Sequence, residues 1–348
     1  MQINHQKLKK AVSFLHQSIE NHEIPGAVAL VKFQGEAILE TSLGYSHFDR
    51  KIEMSTDTIF DLASLTKVCA TLPAILVLCE AGEISFDDKV SRFLPHFSNE
   101  TISIKNLLTH TSGLPPFLDF YSKKFTTQEA VKVICQFAPF IKPNEQVIYS
   151  DLNFILLGHI VGKITGLPLN QFVEEAIYRP LGMKNTFYNP DHISKETIAA
   201  TEYNEEIQDY SWGVVHDENA RNFGGISGHA GLFSNAHDLS LYTDLFMGST
   251  SAPILSPFTI EKTLHNYTKM IGEGRGIGWQ LNTDGGAGDL FPATGFGHTG
   301  FTGTSIWMDR LSQLSIILLT NRVHFGRKDH IIRIRKIFNN MVTSTLEG

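Results

Sequence analysis

Phe60-Asp61-Leu62-Ala63-Ser64-Leu65-Thr66-Lys67 runs directly into an apolar segment, Val68 to Cys79. The segment has the length and composition of a buried helix, with Ser64 and Lys67 three residues apart at its head. Positions i and i+3 share one helical face, so the hydroxyl and the amine can meet. A serine hydroxyl is a poor nucleophile until a base takes its proton. A lysine serves as that base once burial or a neighbouring cation lowers its pKa from about 10.4. Leu62, Leu65 and Val68 predict such burial. The same residues also fit a serine that caps the helix beside a lysine in solvent, and S-x-x-K alone does not separate the two.

Outward from this stretch, the periodicity defines the fold. Leu8, Val12, Leu15 and Ile19 predict a helix over 6–21, stopped by Ile24-Pro25-Gly26. Ala27 to Phe33 reads as a buried strand, Gln34-Gly35 as a turn, and Ala37 to Gly44 as the returning strand. The Ser64 helix ends near Ala81-Gly82. Ile104 to Thr109 is a short helix, followed by the turn His110-Thr111-Ser112-Gly113-Leu114. Thr126 and Glu129 form a capping-box pattern before a helix Ala130 to Phe137. Tyr149-Ser150-Asp151-Leu152-Asn153 precedes a helix Phe154 to Ile164, and further helices cover Leu169 to Tyr178 and Leu239 to Met247. Strands follow at Gly278 to Leu281, Ser305 to Asp309 and Ser315 to Thr320, with a closing helix Asp329 to Met341. The expected class is α/β (α+β): an antiparallel sheet flanked by helices, with a mostly helical inserted domain. Residues 1–60 and 270–348 would form the discontinuous sheet domain and 61–269 the insert, with the active site at their junction.

Composition narrows the function. A chain 42% hydrophobic and 19% charged can build a large core. A net charge of −7 disfavours nucleic acid or an anionic membrane surface as partner. No apolar run reaches the roughly 18 residues of a membrane span. Met1 to Lys10 lacks the apolar core of a secretory signal. The expected compartment is therefore the cytoplasm, or the periplasm if a leader has been removed. Cys69, Cys79 and Cys135 cannot all pair within one chain and read as reduced core thiols. No C-x-x-C, H-E-x-x-H or P-loop occurs, so neither metal nor cofactor is implied.

Two glycine-rich stretches remain. Val215 to Leu232 is long for a compact domain and holds His216, Asp217, Glu218 and His229. Without paired ligand spacing these read as the hydrogen-bonded wall of a pocket rather than a metal site. Gly272-Glu273-Gly274-Arg275-Gly276-Ile277-Gly278 precedes a strand rather than a helix, which fails the context of a dinucleotide cradle.

Ser64-x-x-Lys67, Tyr149-Ser150-Asp151 and His298-Thr299-Gly300 stand in this order, with helices between two sheet halves. In that combination, over about residues 8–340, the chain resembles the serine β-lactamase and penicillin-binding protein superfamily. The likeness is strongest to its class C and D-Ala-D-Ala carboxypeptidase-like branch, which also holds esterases. The turn at 110–114, the Gly231-Leu232-Phe233-Ser234 helix start and the 215–231 stretch are similar to the same family. The resemblance implies that Ser64 is acylated, that Lys67 takes or relays its proton, and that Tyr149 acts with Lys67 as base and proton donor. It implies that His298, Thr299 and Gly300 flank the site and hold a substrate carboxylate, and that the N–H groups of Ser64 and Phe301 form an oxyanion hole. Asp151 stands where many members carry asparagine, placing a carboxylate near Lys67 that favours its ammonium form. His298 replaces the lysine of efficient β-lactamases, and a histidine is mostly neutral at pH 7. The expected function is a serine acyl hydrolase on a small-molecule or peptide acyl substrate, of carboxypeptidase or esterase type. A true β-lactamase and a non-catalytic sensor or scaffold are the alternatives.

Overall fold

Gly26–Phe33 is apolar except at Lys32, the pattern of a strand covered on both faces. The computed structural model, which describes residues 2–347, makes it the inner strand β1 of a seven-stranded antiparallel sheet. The others are β2 (Glu36–His47), β3 (Ile52–Glu53), β4 (Gln280–Leu281), β5 (Phe296–Thr299), β6 (Ser305–Asp309) and β7 (Leu314–Thr320), in the order β4-β5-β6-β7-β1-β2-β3. The register pairs Ala29 with Leu318 and Leu30 with Ile317. Alternation then divides the side chains between the two faces.

The helices that cover the sheet and frame the site are α1 (His5–Glu20), α2 (Leu72–Glu80), α3 (Asp151–Thr165), α4 (Ala236–Met247) and α5 (His330–Thr343). Ala27, Ala29, Val31, Ile316 and Leu318 meet Leu8, Ala11 and Leu15 of α1 and Ile334 and Phe338 of α5. Val28, Leu30, Ile317 and Leu319 face the larger core, which includes α2, α3 and α4. The one charge in β1 is answered there, since Lys32 Nζ lies 2.6 Å from Asp244 on α4. The α/β class, with an antiparallel sheet flanked by helices, is the architecture observed.

Between Ser64 and α2 the chain forms a π-helical turn, Lys67–Thr71. The Leu72 N–H bonds back to the Lys67 carbonyl, which frees the carbonyl of Val68. Pro73 has no N–H, which frees the carbonyl of Cys69 as well. Buried acceptors of this kind need donors. Tyr242 of α4 donates its hydroxyl to Val68, and Tyr178 donates to Cys69 at 3.2 Å. Both tyrosines are fully buried, and burial pushes their hydroxyls well above the ordinary range, so they stay protonated. The wide turn that carries Lys67 is thus a product of tertiary packing.

Some boundaries differ from expectation. α3 begins at Asp151 rather than Phe154, which puts Asp151 in the first turn. Ser150 does not cap it; its hydroxyl donates to the Pro115 carbonyl at 2.6 Å. The strand expected over Gly278 to Leu281 is only β4, because Gly278 has φ +79° and donates its N–H to Leu108. Cys69, Cys79 and Cys135 are free thiols. No single helix among the described residues is long and apolar enough to cross a membrane.

Candidate active site

The backbone turns sharply just before Ser64. Ala63 adopts φ +46°, a conformation an L-residue holds only when its surroundings enforce it. Asp61, buried beneath, accepts the Ala63 N–H at 2.8 Å and the His216 N–H at 2.7 Å. Strand Phe60–Asp61 pairs with Leu232–Ser234 and fixes the approach. The result presents Ser64 Oγ 2.9 Å from Lys67 Nζ.

Lys67 is fully buried, and its amine also touches the His229 carbonyl at 3.0 Å and Asp151 Oδ1 at 2.7 Å. Of the two readings open in the sequence, a lysine base freed by burial and an ammonium favoured by Asp151, the contacts support the second. Burial does pull the amine down, but the Asp151 carboxylate and the Tyr149 phenol outweigh it, and the pKa lies above that of a free lysine. The carboxylate at 151 supplies the charge that a buried ammonium requires. Lys67 therefore rests as a cation that donates to Ser64, not as a free-base proton acceptor.

Tyr149 is set by the turn at residues 110–114. His110 (φ +57°) offers its carbonyl to the Ile148 N–H at 2.9 Å and its Nδ1 to the Ser150 N–H at 3.1 Å. Ser112 donates to Asn153 Oδ1 at 2.6 Å, tying the same turn to α3. The Tyr149 ring lies tilted against His110 at 4.5 Å and against His298 at 5.8 Å. Two cations flank it, with Lys67 Nζ 5.0 Å and Arg275 Cζ 5.5 Å from the ring centre. Arg275 is buried, and its Nε and Nη1 have no hydrogen-bond partner among the described residues. Sequence reading missed it, because an arginine inside a glycine run carries no periodic signal.

His298 lies on β5 behind Tyr149, buried, with Nδ1 donating to the Thr299 carbonyl at 2.9 Å. Burial, then Arg275 and Lys67, push its pKa well below the usual histidine value, so the ring is neutral. The loop after β5 is bolted to the turn that precedes Ser64. Thr302 Oγ1 donates to the Asp61 carbonyl at 2.7 Å, and Thr304 Oγ1 to that of Leu62 at 3.1 Å. Gly300 sits where any Cβ would strike the Leu62 carbonyl. The main-chain N–H groups of Ser64 and Phe301 make no hydrogen bond among the described residues.

Ser64, Tyr149, Asp151 and Phe301 border one cavity of about 450 Å³. His298, Thr299 and Gly300 do not line it, and Lys67 lies sealed beneath Ser64. The rest of the lining includes Phe117, Asp119, Tyr121, His216, Asp217, Glu218 and Arg327. The glycine-rich stretch thus supplies a wall, held by hydrogen bonds of His229 Nε2 with Asp217 at 2.9 Å and of Ser227 with His229 Nδ1 at 2.7 Å. Asp151, Asp217 and His229 bring potential metal-ligand atoms within 4.8 Å of one another. That cluster is already met by the Lys67 ammonium against Asp151. A cavity of similar size, about 470 Å³, lies across α3 beside His159 and Lys163 and holds none of the expected site residues.

Residues 11–337 match the family model described as Beta-lactamase. The chain belongs to the beta-lactamase family. It is a serine hydrolase of that family by descent, and its relatives span several activities. A protein of Escherichia coli (strain K12) named "Putative D-alanyl-D-alanine carboxypeptidase" is 32% identical over 335 residues, covering 85% of this chain and 74% of its own. The structure of EstCE1, described as a hydrolase with promiscuous acyltransferase activity, superposes with a TM-score of 0.78 at 24% identity, covering 97% of this chain and 99% of EstCE1. A class C beta-lactamase mutant gives a TM-score of 0.78 at 21% identity, covering 98% of each chain. At those identities the two structures speak for the fold alone.

Proposed function

We propose that this chain hydrolyses an acyl compound through an acyl-enzyme on Ser64. The observation that carries the reading is the 2.9 Å contact between Ser64 Oγ and the buried Lys67 amine at the edge of a cavity bordered by Tyr149. Lys67 already bears its full complement of protons, so the proton released when Ser64 attacks the substrate carbonyl goes elsewhere. We assign it to Tyr149 acting as a phenolate, whose own proton has left to solvent before the attack. Lys67 Nζ and Arg275 Cζ lie 5.0 and 5.5 Å from its ring centre, the neighbouring positive charge that a phenolate base requires. Tyr149 returns the proton to the leaving group as the carbon–heteroatom bond breaks. Water then attacks the acyl-enzyme and gives a proton to the same oxygen, which passes it to Ser64 Oγ as the acyl C–Oγ bond breaks and the free acid leaves. The free N–H groups of Ser64 and Phe301 hold the oxyanion, and losing one such donor typically costs about 10²–10³ in rate.

Within that reaction an ester is the favoured substrate. A substrate carboxylate would find His298 neutral, buried and away from the cavity. The carboxypeptidase name of the E. coli relative favours a second reading, a D-Ala-D-Ala-type peptide. Rates on a nitrophenyl ester, a D-Ala-D-Ala peptide and a chromogenic cephalosporin, measured side by side, separate these. The expected order puts the ester first and the cephalosporin slow. A fluorophosphonate and a fluorescent penicillin report the nucleophile, and one of them should label wild type but neither should label Ser64→Ala. Ester hydrolysis that survives Ser64→Ala would remove the nucleophile assignment, and a wild type that neither reagent labels would make the chain a binding module.

A further inference from the structure

The charge of the Ser64 cavity points to a class of substrate. Four carboxylates line it, those of Asp119, Asp217 and Glu218 and that of Asp151, the last paired with the Lys67 ammonium beneath, against the guanidinium of Arg327. Arg327 is half-exposed at the mouth and looks at first like an anchor for an anion. Two of its three nitrogens are already engaged, Nε with both oxygens of Glu202 at 3.0 and 2.9 Å and Nη2 with Glu218 at 2.6 Å, which leaves Nη1 as the open donor. Two carboxylates on one guanidinium leave that corner negative. Lys67 is matched by Asp151 at 2.7 Å and lies out of reach behind Ser64. Asp119 stands on the exposed rim, its two oxygens accepting from Ser122 at 3.0 and 2.5 Å, which lowers its pKa and keeps it ionised. Beside these charges lie the aromatic rings of Phe117 and Tyr121, each with more than two-fifths of its surface exposed, whereas the Phe301 ring is already taken by Arg322 and His216. Carboxylates and ring faces together form the surroundings that hold an organic cation.

We propose that the cavity selects acyl substrates carrying a positive charge and rejects those carrying a carboxylate, with Glu218 setting the preference by occupying Arg327. The proposal rests on the acyl-hydrolase reading of the same site. It assigns Glu218 and Arg327 as specificity-determining residues, separate from the groups that move protons. Net negative charge focused in a cleft raises the local concentration of a cationic ligand and lowers that of an anionic one. The effect weakens with salt because the rim is exposed.

Three nitrophenyl esters of equal chain length test it: 4-trimethylammoniobutanoate, its neutral isostere 5,5-dimethylhexanoate, and glutarate. At low ionic strength kcat/KM should fall in that order, with the cation ahead of the anion by about tenfold or more. The gap should narrow at 0.5 M salt. Glu218→Gln frees one face of Arg327 and should shrink the cation-to-anion ratio several-fold. Arg327→Gln leaves the two glutamates uncompensated and should widen it. A fold damaged by either substitution would slow all three esters together and could not move the ratio in opposite directions. Equal or faster hydrolysis of glutarate by wild type, or a ratio that neither variant moves, overturns the proposal. Calorimetric titration of Ser64→Ala with the amides of the same three acids asks the charge question without turnover. A cation preference there, in a protein that hydrolyses no ester, would sink the hydrolase reading and keep the selectivity. Ester hydrolysis with no charge preference in either assay would do the reverse.

Discussion

At the residue scale the departure that matters most is Asp151. An asparagine there would take from buried Lys67 the carboxylate that touches it, leaving Asp217 further off, and burial pulls an amine's pKa down. The present carboxylate reverses the sign. If the reaction needs Lys67 as a cation, activity is lost as pH rises through its pKa, and in wild type that limb lies beyond the usual working range. Asp151→Asn should bring it into range, so that the alkaline limb of kcat/KM on a nitrophenyl ester shifts to lower pH by one unit or more. A variant whose activity instead extends to more acidic pH, with no alkaline limb, would mean that free-base Lys67 is the proton acceptor. Asp151 was visible in the sequence as a substitution in a known motif. Its consequence was visible too, but not its size, because that depends on the 2.7 Å contact to Lys67.

At the scale of elements, two contacts between distant segments place Ser64 and Lys67. The first is the seam between the 300–304 loop and residues 61–62, where Gly300 leaves no room for a side chain. Gly300→Ala must part the loop from the Leu62 carbonyl and carry the Phe301 N–H away from Ser64. Its expected effect is a fall in kcat of about 10²-fold with KM less affected, the signature of a lost oxyanion donor. An unchanged kcat would show that Phe301 does not serve that role. The second contact is the π-helical turn. Tyr242→Phe strands the Val68 carbonyl in the core, a loss of about 1–3 kcal/mol that urea unfolding reads directly. A loss below 0.5 kcal/mol would mean the turn reverts to ordinary α geometry once the tyrosine is gone. Helix α2 was legible from its apolar run, but this turn was not, since both donors that stabilise it come from more than a hundred residues away.

For the whole molecule, acid stability follows from which groups are buried neutral and which are buried charged. His110 and His298 are pushed well below the usual histidine value, and His324 to about 4, in each case first by burial. Their folded pKa values lie below the unfolded value of about 6.5, so between these limits the unfolded chain binds protons that the folded chain refuses. Stability should therefore decline as pH falls from about 6.5, before carboxylates titrate. Glu202 continues the decline. Its hydrogen bond with His216, and then that with Arg327, hold its pKa near about 2, so the stability it contributes above about 4.5 is lost as pH falls toward 2. Urea midpoints at pH 8, 6.5, 5 and 4 check this. A flat profile between 6.5 and 5 would contradict the neutral, buried state of the histidines.

Local pattern and composition alone determined the α/β class, the run of Val68 to Cys79 as a buried helix, the hairpin of β1 with β2 and the three motifs at Ser64, Tyr149 and His298. Each of these is written in short-range periodicity or in spacings of a few residues, where one side chain's position dictates its neighbour's. Tertiary structure decided the rest: the charge state of Lys67, the burial and neutrality of His298, the placing of the Arg275 guanidinium beside Tyr149 and the acid-lined mouth around Arg327. Those properties depend on electrostatics and burial, which are set by atoms a few ångströms away in space and up to two hundred residues away in the chain. No window along a sequence contains them.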